Sequence, residues 1–239
     1  MNRRVALVTG ASSGIGLAIA QMLVSDGYQV TVVSRTREKL QRAADELQKL
    51  GTVHAIAANV GVDDEVERTV AEHRERFGRL DLLVNNAGQG ILGELETMPA
   101  KHIDLQLAVN LRSVIGFYQH TMDLLKSAAG EHGSALVVNV SSIAGKQGQP
   151  RLAAYSAAKH GIVGLTEAMN RELASTGVKS TVLCPGYVDT TIADPFKDTV
   201  SGEQMIRPED LAESVRFLTR LSPMCVVPEI LFLRPGLVE

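Results

Sequence analysis

Tyr155 and Lys159 stand four positions apart in the stretch YSAAK, between residues that are all small. At this spacing on a helix, the two side chains lie on the same face. A free phenol has a pKa near ~10, which is too high for a base at neutral pH. A nearby ammonium group favours the phenolate, so we expect Lys159 to lower the pKa of Tyr155. The pair predicts a group that exchanges a proton with a substrate oxygen.

Two further polar residues strengthen this prediction. Ser142 lies thirteen positions before Tyr155, at the end of an apolar run, where its hydroxyl could hold the same substrate oxygen. Asn110 interrupts a helical segment in LAVNLRS, and an amide at such a place bonds backbone or water rather than packing. The predicted catalytic residues are Asn110, Ser142, Tyr155 and Lys159, of which Ser142 and Tyr155 would also bind substrate.

The motif TGASSGIG follows the first apolar run and opens a helical segment. Its glycines permit a tight turn and a close approach of the backbone. The amide groups at the start of a helix, with the positive end of its dipole, can hold a pyrophosphate. This position favours dinucleotide binding over a merely flexible turn. The residues predicted to contact the cofactor here are Gly10, Ser12, Ser13, Gly14, Ile15 and Gly16.

The second apolar run, which ends in VVSRTR, indicates which dinucleotide binds. Ser34 takes the place where an acidic residue would bind the ribose 2′-hydroxyl of NAD(H). Arg35 follows it, and a guanidinium is well suited to a phosphate. The sequence therefore favours NADP(H) over NAD(H), with Ser34 and Arg35 as contacts. We interpret the neighbouring Lys39 and Arg42 as part of a solvated helix face, but we do not extend that interpretation to Arg35.

Short apolar runs alternate along the chain with longer segments of helical periodicity. The runs are apolar throughout, which is typical of a parallel sheet covered by helices on both faces. The predicted fold is therefore α/β, a single-domain doubly wound parallel sheet of the Rossmann type over residues 1–239. The predicted strands are VALVTG, QVTVVS, VHAIAANV, LDLLVNNAG, SALVVNVSS, VKSTVLCPG and EILFLRP.

In such a sheet, ligands bind beyond the carboxyl ends of the strands. The glycine motif, Ser34 and Ser142 all follow predicted strands, and YSAAK lies in the long helix after the fifth strand. We therefore expect these motifs to converge at one edge of the sheet. A further helical segment runs from about 99 to 128, with a predicted break near Asn110.

Composition excludes several classes of function. The net charge is −3 and aromatic residues make up 4%, which argues against nucleic acid or an acidic membrane as a partner. Two cysteines lie far apart and six histidines show no metal-ligand spacing. We expect no disulfide framework, no metal site and a cytoplasmic setting. No apolar run is long enough to span a bilayer.

Taken together, the motifs resemble the short-chain dehydrogenase/reductase family. The matching pieces are TGASSGIG, NNAG at 85–88, Asn110, Ser142, YSAAK and PGYVDT, in the family's order and over essentially the whole chain. The resemblance implies that Tyr155 is the acid/base and that Lys159 also bonds the nicotinamide ribose. It implies that Ser142 orients the substrate and that Asn110 holds a water linking Lys159 to solvent.

The resemblance implies cofactor contacts at further positions. Where the family commonly has Asp-Val after the third strand, this chain has Asn59-Val60, whose amide oxygen could accept from the adenine amino group. The remaining implied contacts are Asn86, Ala87 and Gly88 on the adenosine side, and Pro185, Gly186, Val188 and Thr190 at the nicotinamide.

The implied reaction is hydride transfer between NADP(H) and a carbonyl or alcohol substrate, with a substrate segment at about 187–206. One alternative within the family is an activity like that of 3-oxoacyl-carrier-protein reductases. A non-catalytic dinucleotide-binding sensor is an alternative from another class, and it would need the glycine motif but not the four catalytic residues together. The resemblance also implies a homodimer or a homotetramer.

Overall fold

The computed structural model of the chain describes residues 3–196 and 200–235. The strands are β1 (Val5–Thr9), β2 (Gln29–Ser34), β3 (Val53–Ala57), β4 (Leu82–Asn85), β5 (Ala135–Val140), β6 (Val178–Pro185) and β7 (Glu229–Phe232). They form one parallel sheet in the order β3-β2-β1-β4-β5-β6-β7. Each predicted apolar run contains one strand, which confirms the predicted sheet.

Helices cover both faces of this sheet. The strands are apolar throughout because these helices bury both of their faces. Every residue of β1, β4, β5 and β6 is buried. The helices are α1 (Gly14–Ser25), α2 (Arg37–Gln48), α3 (Asp63–Phe77), α4 (Ala100–Leu107), α5 (Ser113–His132), α6 (Ala153–Glu172) and α7 (Pro208–Thr219). Side chains of α1, α2 and α7 build the core on one face, and those of α3, α5 and α6 build the core on the other.

A short π-helical segment, Ala108–Arg112, joins α4 to α5. The Asn110 side chain lies inside this segment and donates to the main-chain oxygen of Gln106 at 2.8 Å. A second donation goes to the oxygen of Gln89, also at 2.8 Å. These bonds confirm the predicted break near Asn110, because the amide serves backbone groups and the helix widens around it.

The strand order places the loops that carry the motifs side by side. β1 lies between β2 and β4, so strand order runs in opposite directions on the two sides of the β1–β4 pair. Such a reversal opens a crevice at the carboxyl ends of the strands. No described helix is long and apolar enough to cross a membrane. Of the predicted substrate segment at 187–206, residues 197–199 lie outside the described residues, as do 1–2 and 236–239 of the predicted domain.

Candidate active site

A cleft of about 870 Å³ lies beside the segments that follow β4, β5, β6 and β7. It is lined by side chains from each of these segments and by the first turns of α6. The predicted site residues that line it are Ile15, Asn86, Gly88, Ser142, Tyr155, Lys159, Pro185, Gly186, Val188 and Thr190. The structure therefore brings three of the four predicted catalytic residues together in one cleft.

Tyr155 and Lys159 share a face of α6, as their spacing predicts. The helix begins at Ala153, so Tyr155 lies in its first turn and Lys159 one turn later. The Lys159 Nζ atom is 5.5 Å from the centre of the Tyr155 ring. Lys159 is buried and donates to the main-chain oxygen of Val140 at 2.9 Å. This bond fixes the amine between the end of β5 and the phenol.

Burial dominates the proton affinities of the pair. Burial raises the pKa of Tyr155, and a hydrogen bond with the Ser142 hydroxyl lowers it by less. Burial lowers the pKa of Lys159 to about 8. The prediction that the pKa of Tyr155 lies below its usual value is therefore wrong for this structure, because burial outweighs the hydrogen bond that favours the phenolate. The amine sits beside the ring and bonds a carbonyl, while Ser142 is the residue that contacts the phenol.

Ser142 is held in place by the short turn that follows β5. Its hydroxyl accepts from the main-chain amide of Ala144 at 3.1 Å. The neighbouring Ser141 hydroxyl donates to the main-chain oxygen of Lys159 at 2.9 Å and ties this turn to α6. A Cβ atom at Gly145 would stand 2.7 Å from that same oxygen, so only glycine lets the turn approach α6 so closely.

Asn110 lies beside the cleft and not in its wall. Its oxygen accepts from the main-chain amide of Gln89 at 3.0 Å, so the side chain bonds both the amide and the carbonyl of Gln89. A Cβ atom at Gly88 would stand 3.0 Å from the Asn110 oxygen and 3.5 Å from Lys159 Nζ. Asn110 thus braces the loop next to Lys159, and its role in holding a water stays a prediction.

Gln106 is a buried residue of this region that the sequence did not reveal. Its side-chain oxygen accepts from the main-chain amide of Ile91 at 3.0 Å, and its amide donates to the oxygen of His102 at 3.2 Å. Together with Asn110, it holds the loop after β4 against the helices. Gly90 in this loop packs beside the Tyr155 ring, as a Cβ atom there would lie 3.8 Å from it. The sequence feature that could have indicated this role is the position of Gln106 one helical turn before Asn110.

The glycine turn between β1 and α1 fits a pyrophosphate group. Gly10 has φ +67°, and a Cβ atom at Gly16 would stand 2.5 Å from the Gly10 oxygen. The Asn86 side chain donates to the main-chain oxygen of Thr9 at 2.9 Å and braces the turn. The Ser13 side chain does not cap α1, so the first amides of the helix can bind an anion.

The end of β2 carries two hydroxyl groups and an exposed arginine. The hydroxyls of Ser12 and Ser34 lie 2.8 Å apart. Arg35 is exposed next to them, and no hydrogen bond or ion pair joins it to another described residue. The Asn59 oxygen accepts from the main-chain amide of Gly61 at 3.2 Å, which leaves one lone pair for a further donor.

The segment after β6 forms another part of the cleft wall. The amide of Gly186 donates to the main-chain oxygen of Phe232 at 2.9 Å. Thr190 reaches the start of α1, because a Cβ atom at Gly14 would stand 2.9 Å from its methyl group. The segment therefore spans from the glycine turn to the neighbourhood of β7.

Several predicted residues do not line the cleft itself. They lie at or after the ends of β1, β2, β3 and β4, in the first turn of α1 or in the π-helical segment: Gly10, Ser12, Ser13, Gly14, Gly16, Ser34, Arg35, Asn59, Val60, Ala87 and Asn110. Sequence reasoning also missed Thr9, whose hydroxyl accepts from the main-chain amides of Asn86 and Ala87 at 3.0 Å each. Its place at the end of β1, within the glycine motif, was the available signal.

Comparison with known proteins gives consistent results. The profile of the short chain dehydrogenase family matches residues 4–201. A 3-oxoacyl-acyl-carrier-protein reductase of Staphylococcus aureus is 36% identical over 225 residues, covering 89% of each chain. Two solved structures are also similar. An alcohol dehydrogenase from Thermococcus sibiricus complexed with 5-hydroxy-NADP has 30% identity, a TM-score of 0.86 and coverage of 98% of this chain and 97% of its own. A 3-ketoacyl-acyl-carrier-protein reductase from Brucella melitensis complexed with NADH has 28% identity, a TM-score of 0.88 and the same coverage.

Proposed function

This chain belongs to the short-chain dehydrogenase family and is an oxidoreductase, and we propose that it uses NADP(H) to reduce the carbonyl group of a small molecule. The observation that carries the proposal is the convergence of Ser142, Tyr155 and Lys159 on one cleft. A positioned donor, a second hydroxyl and a buried cation in one cavity are the parts that carbonyl reduction needs.

Each residue has a separate task at the substrate oxygen. A bound nicotinamide dinucleotide supplies or accepts the hydride. Tyr155 donates its proton to the carbonyl oxygen, and Ser142 donates a hydrogen bond to the same oxygen. The raised pKa of Tyr155 keeps the phenol protonated at neutral pH, which suits proton donation and therefore reduction. Lys159, with a pKa of about 8, carries its charge at neutral pH and stabilises the phenolate that remains.

The preference for NADP(H) rests on the end of β2. The exposed guanidinium of Arg35 and the hydroxyl of Ser34 suit a phosphate, and no carboxylate stands at that place to repel it. The similar solved structures carry both kinds of dinucleotide, one an NADP derivative and the other NADH. The choice for this chain is therefore proposed from its own residues.

A panel of ketones and aldehydes, each tested with NADPH and with NADH, examines this function. We expect consumption of NADPH with formation of one alcohol per cofactor oxidised, and a lower kcat/KM with NADH. A protein that binds NADPH tightly but turns over no member of the panel would instead behave as the non-catalytic sensor. Turnover of alcohols alone, or a preference for NADH, would contradict the proposed direction or cofactor.

Reduction of 3-oxoacyl thioesters is a second candidate. The Staphylococcus aureus relative is named for this activity, and it is 36% identical to this chain. Apolar residues also line the cleft and would suit an acyl chain, namely Leu92, Ile143, Leu152, Ile192 and Leu233. A 3-oxoacyl N-acetylcysteamine thioester added to the panel tests it. The candidate is supported if this thioester gives the highest kcat/KM and is rejected if simple ketones exceed it.

We also propose that the chain forms a homodimer or a homotetramer. Leu107 at the end of α4 and Ile115 in the first turn of α5 expose 37% and 45% of their surface to solvent. Exposed apolar side chains on adjoining helices favour burial against a second copy. Light scattering coupled to size-exclusion chromatography measures the mass directly, and a monomer of 25.6 kDa would contradict the proposal.

A further inference from the structure

We propose that Arg234 binds a carboxylate on the substrate, so that the carbonyl compound reduced by this enzyme is an oxo acid. The inference rests on the proposed function and specifies its substrate class. Arg234 lines the same cleft as Ser142 and Tyr155. Sequence reasoning assigned it no role.

The pairing of β7 with β6 brings Arg234 to the cleft. Phe232, the last residue of β7, is in register with Pro185, the last residue of β6. The bond from the Gly186 amide to the Phe232 oxygen continues this pairing one residue past the end of β6. The chain after β7 therefore runs beside the segment that follows β6, and Leu233 and Arg234 both enter the cleft wall.

Among the described residues, none is a hydrogen-bond or ion-pair partner of the Arg234 guanidinium. Its Nε atom is buried and has no hydrogen-bond partner, and no ion pair joins Arg234 to another described residue. A buried donor of a charged group that stays unpaired is unfavourable, and most such groups in folded proteins are bonded. A ligand that accepts this hydrogen bond would remove the penalty, and the cleft is where such a ligand would sit.

The charges around the cleft favour an anion. None of the described residues that line it is an aspartate or a glutamate. Lys146, another cation of the lining, is neutralised by Glu229, since its Nζ atom lies 2.9 Å from a carboxylate oxygen. Lys159 is engaged with the oxygen of Val140 beside Tyr155. Among the described cations that line the cleft, Arg234 is therefore the one whose charge and hydrogen-bond donors remain available to a substrate.

A carboxylate fits this donor best among common anions. The Nε–H and one Nη–H of a guanidinium point in parallel and bond the two oxygens of a planar carboxylate together. The carboxylate is not changed in the reaction. The carbonyl of the same molecule gains the hydride of NADPH at carbon and the proton of Tyr155 at oxygen, NADPH becomes NADP⁺, and the product is a hydroxy acid.

The experiment compares 2-oxo, 3-oxo and 4-oxo acids with their methyl esters, since the ester removes the charge and keeps the carbonyl. We expect at least one acid to be reduced with a kcat/KM about tenfold or more above that of its ester, mainly through KM. In Arg234→Gln, we expect kcat/KM for that acid to fall about 10-fold to 100-fold, while the ester changes by less than about threefold. Arg234→Lys, which keeps the charge but not the two parallel donors, should fall between the two.

Two controls separate the possible explanations. Arg171→Gln removes a positive charge from the exposed last turn of α6, outside the cleft, and should leave the ratio of acid to ester unchanged. NADPH affinity measured by fluorescence titration should be the same in Arg234→Gln and wild type, which shows that the variant is folded and that Arg234 does not serve the cofactor.

Three results would overturn the inference. One is an acid-to-ester ratio near one in the wild type. The second is an unchanged ratio in Arg234→Gln. The third is a dependence on Arg234 that appears only with phosphate-bearing ketones such as dihydroxyacetone phosphate. In each case the proposed function survives if neutral carbonyl compounds are reduced with NADPH, and it fails separately if no carbonyl compound is reduced.

Discussion

Replacement of Arg35 by glutamine tests the proposed cofactor preference most selectively. The variant keeps a polar side chain at the end of β2 and removes the charge that would face the 2′-phosphate. Arg35 is exposed, so water screens the contact and its contribution lies near the lower end of the range for hydrogen bonds to charged groups. We take about 1–2 kcal/mol, which corresponds to an increase of about 5-fold to 30-fold in the Kd for NADPH.

The assay is fluorescence titration of NADPH and of NADH into the same preparations. NADH lacks the 2′-phosphate, so its Kd should change by less than about twofold. Arg42→Gln is the matched control, because Arg42 is also exposed on α2 and its Nε atom bonds the main-chain oxygen of Glu38 within the helix. We expect Arg42→Gln to leave both affinities unchanged.

The effect should also shrink as salt is added, because an exposed charge pair is screened within about 10 Å at moderate ionic strength. An equal loss of affinity for NADPH and NADH in Arg35→Gln would refute the assignment, and so would an NADPH affinity equal to that of wild type. The complementary variant Ser34→Asp places a carboxylate at the end of β2, and we expect it to weaken NADPH binding and to strengthen NADH binding.

Three further predictions concern the turn, the loop after β4 and the buried amine. Gly16→Ala places a Cβ atom 2.5 Å from the Gly10 oxygen. We therefore expect the free energy of unfolding measured in urea to fall by about 1–3 kcal/mol, and NADPH to bind more weakly. Wild-type values for both quantities would contradict the close approach of the two glycines. Gln106→Leu leaves the Ile91 amide without its acceptor, and we expect turnover to fall more than NADPH affinity. Gln106→Glu keeps an acceptor oxygen, so it should retain more of the turnover than Gln106→Leu. Burial lowers the pKa of Lys159 to about 8, so the unfolded chain binds more protons above that pH and the free energy of unfolding rises with pH. Between about pH 7 and about pH 9.5, the free energy of unfolding of wild type should rise by about 2 kcal/mol relative to that of Lys159→Met. If the free energies of unfolding of the two proteins change in parallel with pH, the amine is not buried in this way.

The sequence was sufficient for the sheet and for the main members of the site. The apolar runs, most of which end in glycine or serine, indicated the strands and their carboxyl ends. The spacing of Tyr155 and Lys159 placed both on one face of α6. The break at Asn110 was also predictable, because an amide within a helical run seeks backbone groups.

Other features depend on contacts between distant segments, which spacing does not give. The pKa of Tyr155 depends mainly on its burial and to a lesser extent on its hydrogen bond with Ser142, so the direction of its shift was wrong from sequence. The bond from Gln106 to the loop after β4 joins residues fifteen positions apart through a loop of irregular shape. Arg234 reaches the cleft only because β7 pairs with β6 in one register.

The most direct measurement of the central claim is the turnover of Tyr155→Phe. This variant removes one hydroxyl and keeps the ring that packs beside Gly90. We expect kcat to fall about 10²-fold to 10⁴-fold with the best carbonyl substrate, while the Kd for NADPH stays within about twofold of wild type. Tyr187→Phe, which removes another hydroxyl from the same cleft, should lose far less. A Tyr155→Phe enzyme that keeps wild-type turnover would show that the proton comes from elsewhere.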